Sequence, residues 1–178
     1  MTADQTTRGE RKAAIIASGT LADSKSIPLM LLRLGTRWFA MDVRAIVEVA
    51  LKGAVTRVPT APNHVLGVTT LRGRLVTVVS LEQMIGGAGL LSRENTATLP
   101  RLVVLRNGPF EMAIVAEGIY GMTDHVRATD REERPADLPD FVCEEFDWQG
   151  KRVALLDVPL LVAAAARLSG ILSSEEVA

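Results

Sequence analysis

The side chains that most often perform chemistry are scarce in this chain. It contains two histidines, His64 and His125, and one cysteine, Cys143, and no two of them stand at a spacing typical of metal ligands. Cys143 has no histidine near it in sequence, and there is no Gly-x-Ser-x-Gly motif to hold a nucleophilic serine. We therefore expect no metal site and no catalytic residue, so the protein is predicted not to be an enzyme.

Two other clusters have the composition of possible sites. The sequence Gly-Gly-Ala-Gly at residues 86–89 lacks the Gly-Lys-Ser/Thr ending of a phosphate-binding loop, which favours a linker. The carboxylates of residues 132–140 stand among arginines and prolines in the charged segment 127–140, which is typical of a solvated surface loop. Neither cluster indicates a cofactor, and we expect none.

Glu48 and Arg72 differ from the other charged residues because each stands alone among apolar neighbours. Glu48 lies between Val47 and Val49, and Arg72 follows Leu71. Strand alternation could simply direct Glu48 to solvent. Alternatively, the two opposite charges could pair across the edge of a groove, where each would compensate the other. The sequence pattern leaves both interpretations open.

Composition and charge narrow the functional classes. The chain has 178 residues, 48% of them apolar, and a formal net charge of −1, so it lacks the basic character of a nucleic-acid-binding protein. No basic run indicates binding to an anionic membrane surface, and no stretch approaches the roughly 20 apolar residues of a membrane span. A single cysteine fits a reducing compartment. We expect a cytoplasmic protein with no nucleic-acid partner and no direct membrane insertion.

Hairpin signals recur along the chain. Apolar, β-branched stretches flank short glycine-containing turns, most clearly where residues 65–71 and 75–81 enclose Arg-Gly-Arg and where Asn107-Gly108 separates two further stretches. About ten such strands at spacings of 8–12 residues predict small barrels or a sandwich. A proline near the start and Gly170 past the end predict a helix over residues 158–168.

Changes in composition and periodicity along the sequence also predict segment boundaries. Residues 1–27 mix small, polar and charged types without strong periodicity, which predicts a flexible N-terminal arm. Residues 28–168 carry the strand and helix signals and form the predicted folded domain, and residues 169–178 form a C-terminal tail. The polar, glycine-containing stretch at residues 86–100 predicts the joint between two halves.

The most specific pattern in the chain is Gly-Val-Thr-Thr-Leu-Arg-Gly at residues 67–73, followed by an apolar strand. It is preceded by a hairpin centred on Gly35, an apolar-Glu-apolar strand around Glu48, and Val58-Pro59 before a loop. In this order the motifs resemble the CheW-like family, the coupling proteins that link chemoreceptors to the histidine kinase CheA. The resemblance covers residues 28–168.

This resemblance implies a fold and a function. The fold is mainly β, with two intertwined SH3-like, five-stranded β-barrels packed around a shared core and a C-terminal α-helix. The function is that of a non-enzymatic adaptor, which binds the cytoplasmic tip of a methyl-accepting chemoreceptor and the regulatory domain of a CheA-type histidine kinase. A receptor tip is helical, and a helix laid in an apolar groove is a common recognition mode. Two alternatives are an accessory CheW-like regulator outside receptor arrays and a small-molecule-binding β-barrel sensor.

The resemblance also implies where the partners bind. Glu48 and Arg72 are assigned to a paired site at or beside the receptor groove. Their apolar neighbours are candidate groove or core residues, namely Val47, Val49, Val68 and Leu71. The kinase contact is expected in the second half of the chain, at Ile114, Ile119 and Met122.

Three positions depart from the family pattern. Thr77 and Ser80 stand where the family usually has a proline and an aspartate. Glu117, in Ala-Glu-Gly-Ile, stands where the family usually has Val-Asp-x-Val. These changes leave the fold prediction intact and bear on the surfaces that meet partners.

Overall fold

Apolar stretches separated by glycine-containing turns form ten β-strands in the computed structural model of this protein, which describes residues 26–86, 99–126 and 138–169. Most of the expected arm, the centre of the expected joint, most of the charged loop and most of the tail lie outside the described residues, and the last two residues of the arm, Ser26 and Ile27, belong to a strand. The strands are β1 (Ser26–Leu34), β2 (Arg37–Asp42), β3 (Ile46–Leu51), β4 (Val65–Leu71), β5 (Arg74–Val79), β6 (Arg101–Asn107), β7 (Phe110–Ala116), β8 (Gly118–Val126), β9 (Val142–Trp148) and β10 (Lys151–Leu156).

The predicted hairpins all form. The β4–β5 turn is Arg72-Gly73, and both residues have positive φ, 48° and 79°, as the twist of a two-residue hairpin requires. The β6–β7 hairpin pairs Asn107 with Phe110. The helix predicted over residues 158–168 is confirmed with those bounds as α2 (Val158–Leu168).

Two short helical elements complete the described ranges. A 3-10 turn (Val43–Ala45) follows β2, and a five-residue helix, α1 (Leu81–Ile85), follows β5. Neither α1 nor α2 is long and apolar enough to cross a membrane.

The strands form two five-stranded sheets with the same pattern of pairing. The first sheet has the order β8-β1-β2-β10-β9 and the second β3-β6-β7-β5-β4. Each sheet contains one parallel pair, β2 with β10 and β5 with β7, among antiparallel neighbours. The chain leaves the first sheet at the 3-10 turn and returns to it at Glu117, so the sheets are intertwined along the sequence.

The sheets do not coincide with the two sequence halves that we expected to meet at residues 86–100. That stretch lies between β5 and β6, and both strands belong to the second sheet. A polar, glycine-containing segment marks a break in secondary structure. Such a segment does not indicate which sheet the next strand joins, so the sequence could not show that β5 and β6 belong to the same sheet.

Each sheet is buried on both of its faces. One face of each sheet packs against the other and against α2 in a shared core, which includes Leu34, Phe39, Val103, Ile114 and Leu161. The opposite face of the second sheet encloses a core of its own, formed by Val76, Val78, Leu102, Val104, Ala113 and Val115. The first sheet encloses Leu29, Leu31, Ala40, Val153 and Leu155. This arrangement explains how a chain with 4% aromatic residues builds its cores mainly from aliphatic side chains.

Candidate functional site

Glu48 and Arg72 form the ion pair that their isolated charges suggested. Glu48 pairs with Val104 across β3 and β6, so its side chain lies on the side of the second sheet's own core, and only 14% of it is exposed. Arg72, at the β4–β5 turn, is 80% exposed and donates from Nε to Oε1 of Glu48 at 3.2 Å. The pairing is therefore confirmed, and the alternative of a solvated Glu48 is wrong.

Three further residues extend this pair into a continuous ion-pair chain, Arg72–Glu48–Arg74–Glu111–Arg106. Nη2 of Arg74 lies 3.7 Å from Oε2 of Glu48, and its Nη1 donates to Oε2 of Glu111 at 2.8 Å. Arg106 donates from Nε to Oε1 of Glu111 at 2.8 Å. Arg74, Glu111 and Arg106 were not predicted from the sequence. The signal was the hairpin at Asn107-Gly108, because its register places Arg106 opposite Glu111.

The ion-pair chain holds the carboxylate of Glu111 in its ionised form. The pKa of Glu111 lies below its ordinary value, chiefly because Arg106 donates a hydrogen bond to it. Partial desolvation opposes this shift, and the positive charges of Arg106 and Arg74 add to it. The ion-pair chain therefore favours the charged form of Glu111 next to the guanidinium groups of Arg106 and Arg74.

The four apolar candidates near this pair separate onto two faces. Val47 and Leu71 pack against the second sheet's own core, on the side of Glu48. Val49 is 40% exposed and pairs with Val103, a residue of the shared core, so it lies on the opposite face of β3. Val68 pairs with Thr77 and likewise lies on the shared-core side of its strand. Alternation along each strand makes these two sets incompatible with one flat surface.

A depression of about 460 Å³ lies where the chain crosses between the sheets. Apolar residues from the end of β10 and the start of α2 line it together with Ile27 and Ala45. At its rim Arg44 donates from its backbone N and its Nε to Oδ1 of Asp42, each at 2.9 Å. The side-chain hydrogen bond raises the pKa of Arg44. We call it the junction groove. Asp157 also lines it, and its lining residue Ala45 immediately precedes β3, the strand that carries Glu48.

The three residues expected to contact a kinase have very different exposures. Ile114 is fully buried in the shared core, so its prediction as a contact residue is wrong. Every side chain from Met112 to Ala116 is buried because β7 is a central strand and a core covers each of its faces. Ile119 is half-buried against the shared core, whereas Met122 is 70% exposed opposite Met30 of β1.

Two of the departures from the family pattern have defined structural roles. Ser80 caps the start of α1, where its Oγ accepts a hydrogen bond from the backbone N–H of Gln83 at 3.3 Å. Glu117 accepts a hydrogen bond from the backbone N–H of Gly35 at 3.0 Å and so fixes the β1–β2 turn. Thr77 lies in the middle of β5, paired with Val68 and Met112. Ser80 keeps the capping function that an aspartate would have there.

The chemically versatile side chains are engaged in structural contacts. Nε2 of His64, which is buried, lies 3.0 Å from Oγ of Ser169 beyond the end of α2. Nε2 of His125 lies 2.6 Å from Oε1 of Glu144, and Sγ of Cys143 donates to the carbonyl oxygen of Leu155 at 3.4 Å. Within the described ranges no three histidine, cysteine or acidic side chains are grouped so as to hold a metal ion.

Comparison with known proteins places the chain in one family. The family model described as a CheW-like domain matches residues 28–166. The chain is 28% identical to the chemotaxis protein CheW of Klebsiella aerogenes over 149 residues, which is 84% of this chain and 83% of that protein. It is 28% identical to the chemotaxis protein CheW of Thermotoga maritima over 144 residues, with 80% and 87% of the two chains covered.

A solved structure shows the same fold. The scaffolding protein TtCheW from Thermoanaerobacter tengcongensis superposes with a TM-score of 0.63 at 15% identity, and the match covers 81% of this chain and 92% of that one. The predicted architecture, two five-stranded SH3-like barrels around a shared core with a C-terminal helix, is confirmed. We refer to the first and second sheets as the first and second barrels below.

The chain belongs to the CheW-like family. Its function is that of a chemotaxis coupling adaptor, as the family model and both sequence relatives indicate. The members of this family are scaffold and adaptor proteins that couple receptors to CheA, so the partners of this chain are of that kind.

Proposed function

We propose that this protein acts in the cytoplasm, without catalysing a reaction, as a bridge between the helical tip of a methyl-accepting chemoreceptor and the regulatory domain of a CheA-type histidine kinase. The observation that carries the proposal is the Glu48–Arg72 ion pair. It joins the most specific motif of the family to β3, and it combines a nearly buried carboxylate with a guanidinium that is 80% exposed.

We assign the receptor site to the junction groove together with the Glu48–Arg72 ion pair. Arg72 uses Nε to bind Glu48, which leaves the Nη donors of an exposed guanidinium for a carboxylate on the receptor helix. The groove offers an apolar recess for the side chains of the same helix. Val47 and Leu71 support the ion pair from the core, and Val49, 40% exposed, extends the apolar surface on β3.

The kinase site is assigned to β8 of the first barrel. Met122 is 70% exposed, and Met30, its partner on β1, is half-buried, so two flexible thioether side chains lie together at this surface. Methionine adapts its shape to an apolar partner surface. Ile119, half-buried on the same strand, supports this patch from the shared core, and Ile114 belongs to the core alone.

Direct titration tests this proposal. The full chain is titrated calorimetrically with a soluble receptor-tip fragment and with a kinase regulatory domain, first separately and then in the presence of the other. We expect saturable one-to-one binding in both titrations, with affinities that change less than threefold when the other fragment is present, because the two sites lie on different surfaces. Binding to neither fragment contradicts the proposal, and mutually exclusive binding contradicts the assignment of two separate sites.

A further inference from the structure

A second depression, of about 440 Å³, lies at the end of the first barrel where the β1–β2 and β9–β10 turns meet. It lies at the Lys151 end of β10, whereas the junction groove lies at the Leu156 end, about 17 Å away along the strand. We call it the turn-end depression. Its polar and aromatic walls are formed by Thr36, Arg37, Trp38, Glu145, Lys151 and Arg152.

Positive charge is concentrated in this depression. Its walls contain three cations and one carboxylate. Trp38 pairs with Val153 in parallel register, so Arg37 and Arg152, one position earlier, lie side by side on neighbouring strands. Like charges placed side by side on a sheet are destabilising. With three cations and one carboxylate, the walls keep an excess of positive charge that a bound anion would balance.

The carboxylates near the depression are already engaged. Glu145 accepts a hydrogen bond from Nε of Arg152 at 2.7 Å. Glu117 is bound to the backbone N–H of Gly35, and Asp147 accepts from the backbone N–H of Gly150 at 3.1 Å. The last two bonds hold the two turns in place, and in the described residues neither Glu117 nor Asp147 forms an ion pair with Arg37 or Lys151.

Arg37 and Lys151 are the two cations that remain available. In the described part of the chain neither has a carboxylate within 4.0 Å. The guanidinium carbon of Arg37 lies 5.8 Å from the centre of the Phe39 ring, and Nζ of Lys151 lies 5.2 Å from the centre of the Trp38 ring. Contact with an aromatic face holds a cation in place without neutralising it. Both charges are thus positioned before any ligand arrives, which lowers the entropic cost of binding.

We infer that the turn-end depression binds an acidic peptide segment of a partner protein, with carboxylates at Arg37 and Lys151 and an apolar side chain against Trp38. Glu145 in the wall disfavours a continuous polyanion such as nucleic acid, and the chain as a whole carries a net charge of −1. Carboxylates separated by apolar residues match both the cations and the aromatic wall. None of the residues that line this depression belongs to the receptor or kinase site assigned above, so the inference does not depend on those assignments.

Fluorescence anisotropy of a labelled peptide tests this inference. The probe is Gly-Glu-Leu-Glu-Glu-Leu-Glu-Gly, and the control probe has glutamine in place of every glutamate. We expect the full chain to bind the acidic probe at least tenfold more tightly than the control, and to lose affinity as salt is raised. The double variant Arg37→Glu/Lys151→Glu should lose at least tenfold of that affinity and should instead bind a probe with lysine in place of glutamate, which also shows that it is folded.

A matched variant separates this site from general electrostatics. Lys52→Glu/Arg57→Glu changes two exposed cations that line neither depression, and it should bind the acidic probe within twofold of the unmodified chain. An equal loss in both double variants overturns the inference, as does equal binding of the two probes. If Glu175→Gln/Glu176→Gln raises the affinity tenfold, the depression is occupied by the acidic end of this chain itself, and the assignment to a partner protein is wrong.

Discussion

Nε of Arg72 donates to Oε1 of Glu48 at 3.2 Å although the two residues are 24 positions apart in the sequence. The bond joins the turn of the β4–β5 hairpin to β3, which are brought together only when the second barrel forms. Because Arg72 is 80% exposed, the pair contributes little to stability, well under about 1 kcal/mol after solvent screening. In the proposed receptor site, the pair orients the guanidinium of Arg72 for the receptor helix.

Charge reversal at this pair should change binding and leave folding intact. We expect Arg72→Glu to weaken binding of the receptor-tip fragment at least tenfold, because it places a carboxylate beside Glu48 and removes the exposed donors. Glu48→Arg/Arg72→Glu should recover part of the loss. The measurement is calorimetric titration with the receptor fragment.

Arg167→Glu is the control for this prediction, since it reverses an exposed charge near the end of α2. It should bind the receptor fragment within twofold of the unmodified chain. Unchanged binding by Arg72→Glu would show that the ion pair does not belong to the receptor site.

Gly67 should be the least replaceable glycine of the family motif. Its φ is +143°, and a Cβ added there would lie 2.2 Å from the carbonyl oxygen of Thr56. That oxygen accepts from the backbone N–H of Val68 at 2.8 Å, so the substitution pushes apart a bonded pair. We expect Gly67→Ala to lower the free energy of unfolding by about 2–3 kcal/mol. A Cβ added at Gly53 would lie in open space, so Gly53→Ala should change the free energy of unfolding by less than about 0.5 kcal/mol. Urea titration of both variants measures these changes.

Ile114 and Met122 should respond oppositely in two assays. Ile114→Ala removes methyl groups from the shared core and should lower the free energy of unfolding by about 2–5 kcal/mol. Met122→Glu changes a side chain that is 70% exposed, so it should leave unfolding within about 0.5 kcal/mol and weaken binding of the kinase regulatory domain. Undiminished kinase binding by a folded Met122→Glu chain would move the kinase site away from β8.

The ion-pair chain should give stability a specific dependence on pH. Because the pKa of Glu111 is lowered in the folded protein, its stabilising contribution is fully present above the unfolded value, about 4.3, and is lost as the pH falls through the lowered value. We expect Arg106→Gln to raise the pKa of Glu111 in an NMR titration of its side-chain carboxyl, since the largest cause of the shift is then removed. Arg57→Gln is the control. An unchanged Glu111 pKa in Arg106→Gln would contradict this account.

The strands and the C-terminal helix could be predicted from local sequence. Alternating β-branched residues and two-residue turns such as Arg72-Gly73 specify hairpins because side-chain period and backbone φ act over a few residues. The division of strands between the two barrels could not be predicted from local sequence. The parallel contacts of β2 with β10 and of β5 with β7 join distant segments, and no local pattern encodes them.

The site was predictable only in part for a related reason. Glu48 and Arg72 stood out as single charges in apolar stretches, and their opposite signs made a pair possible without excluding a solvated Glu48. The burial of Ile114 was hidden because every residue from Met112 to Ala116 is apolar, small or both, so alternation cannot distinguish two buried faces from one. Arg74 was missed because its partner Glu111 lies on a strand reached by a parallel pairing.

The central claim is that one molecule of this protein holds both partners at once. The measurement is the amount of kinase regulatory domain retained on immobilised receptor-tip fragment as the concentration of the full chain is raised. A bridge predicts retention that rises, passes through a maximum and then falls as separate complexes take over. Arg72→Glu and Met122→Glu should each abolish the maximum. No retention at any concentration of the unmodified chain would contradict the account.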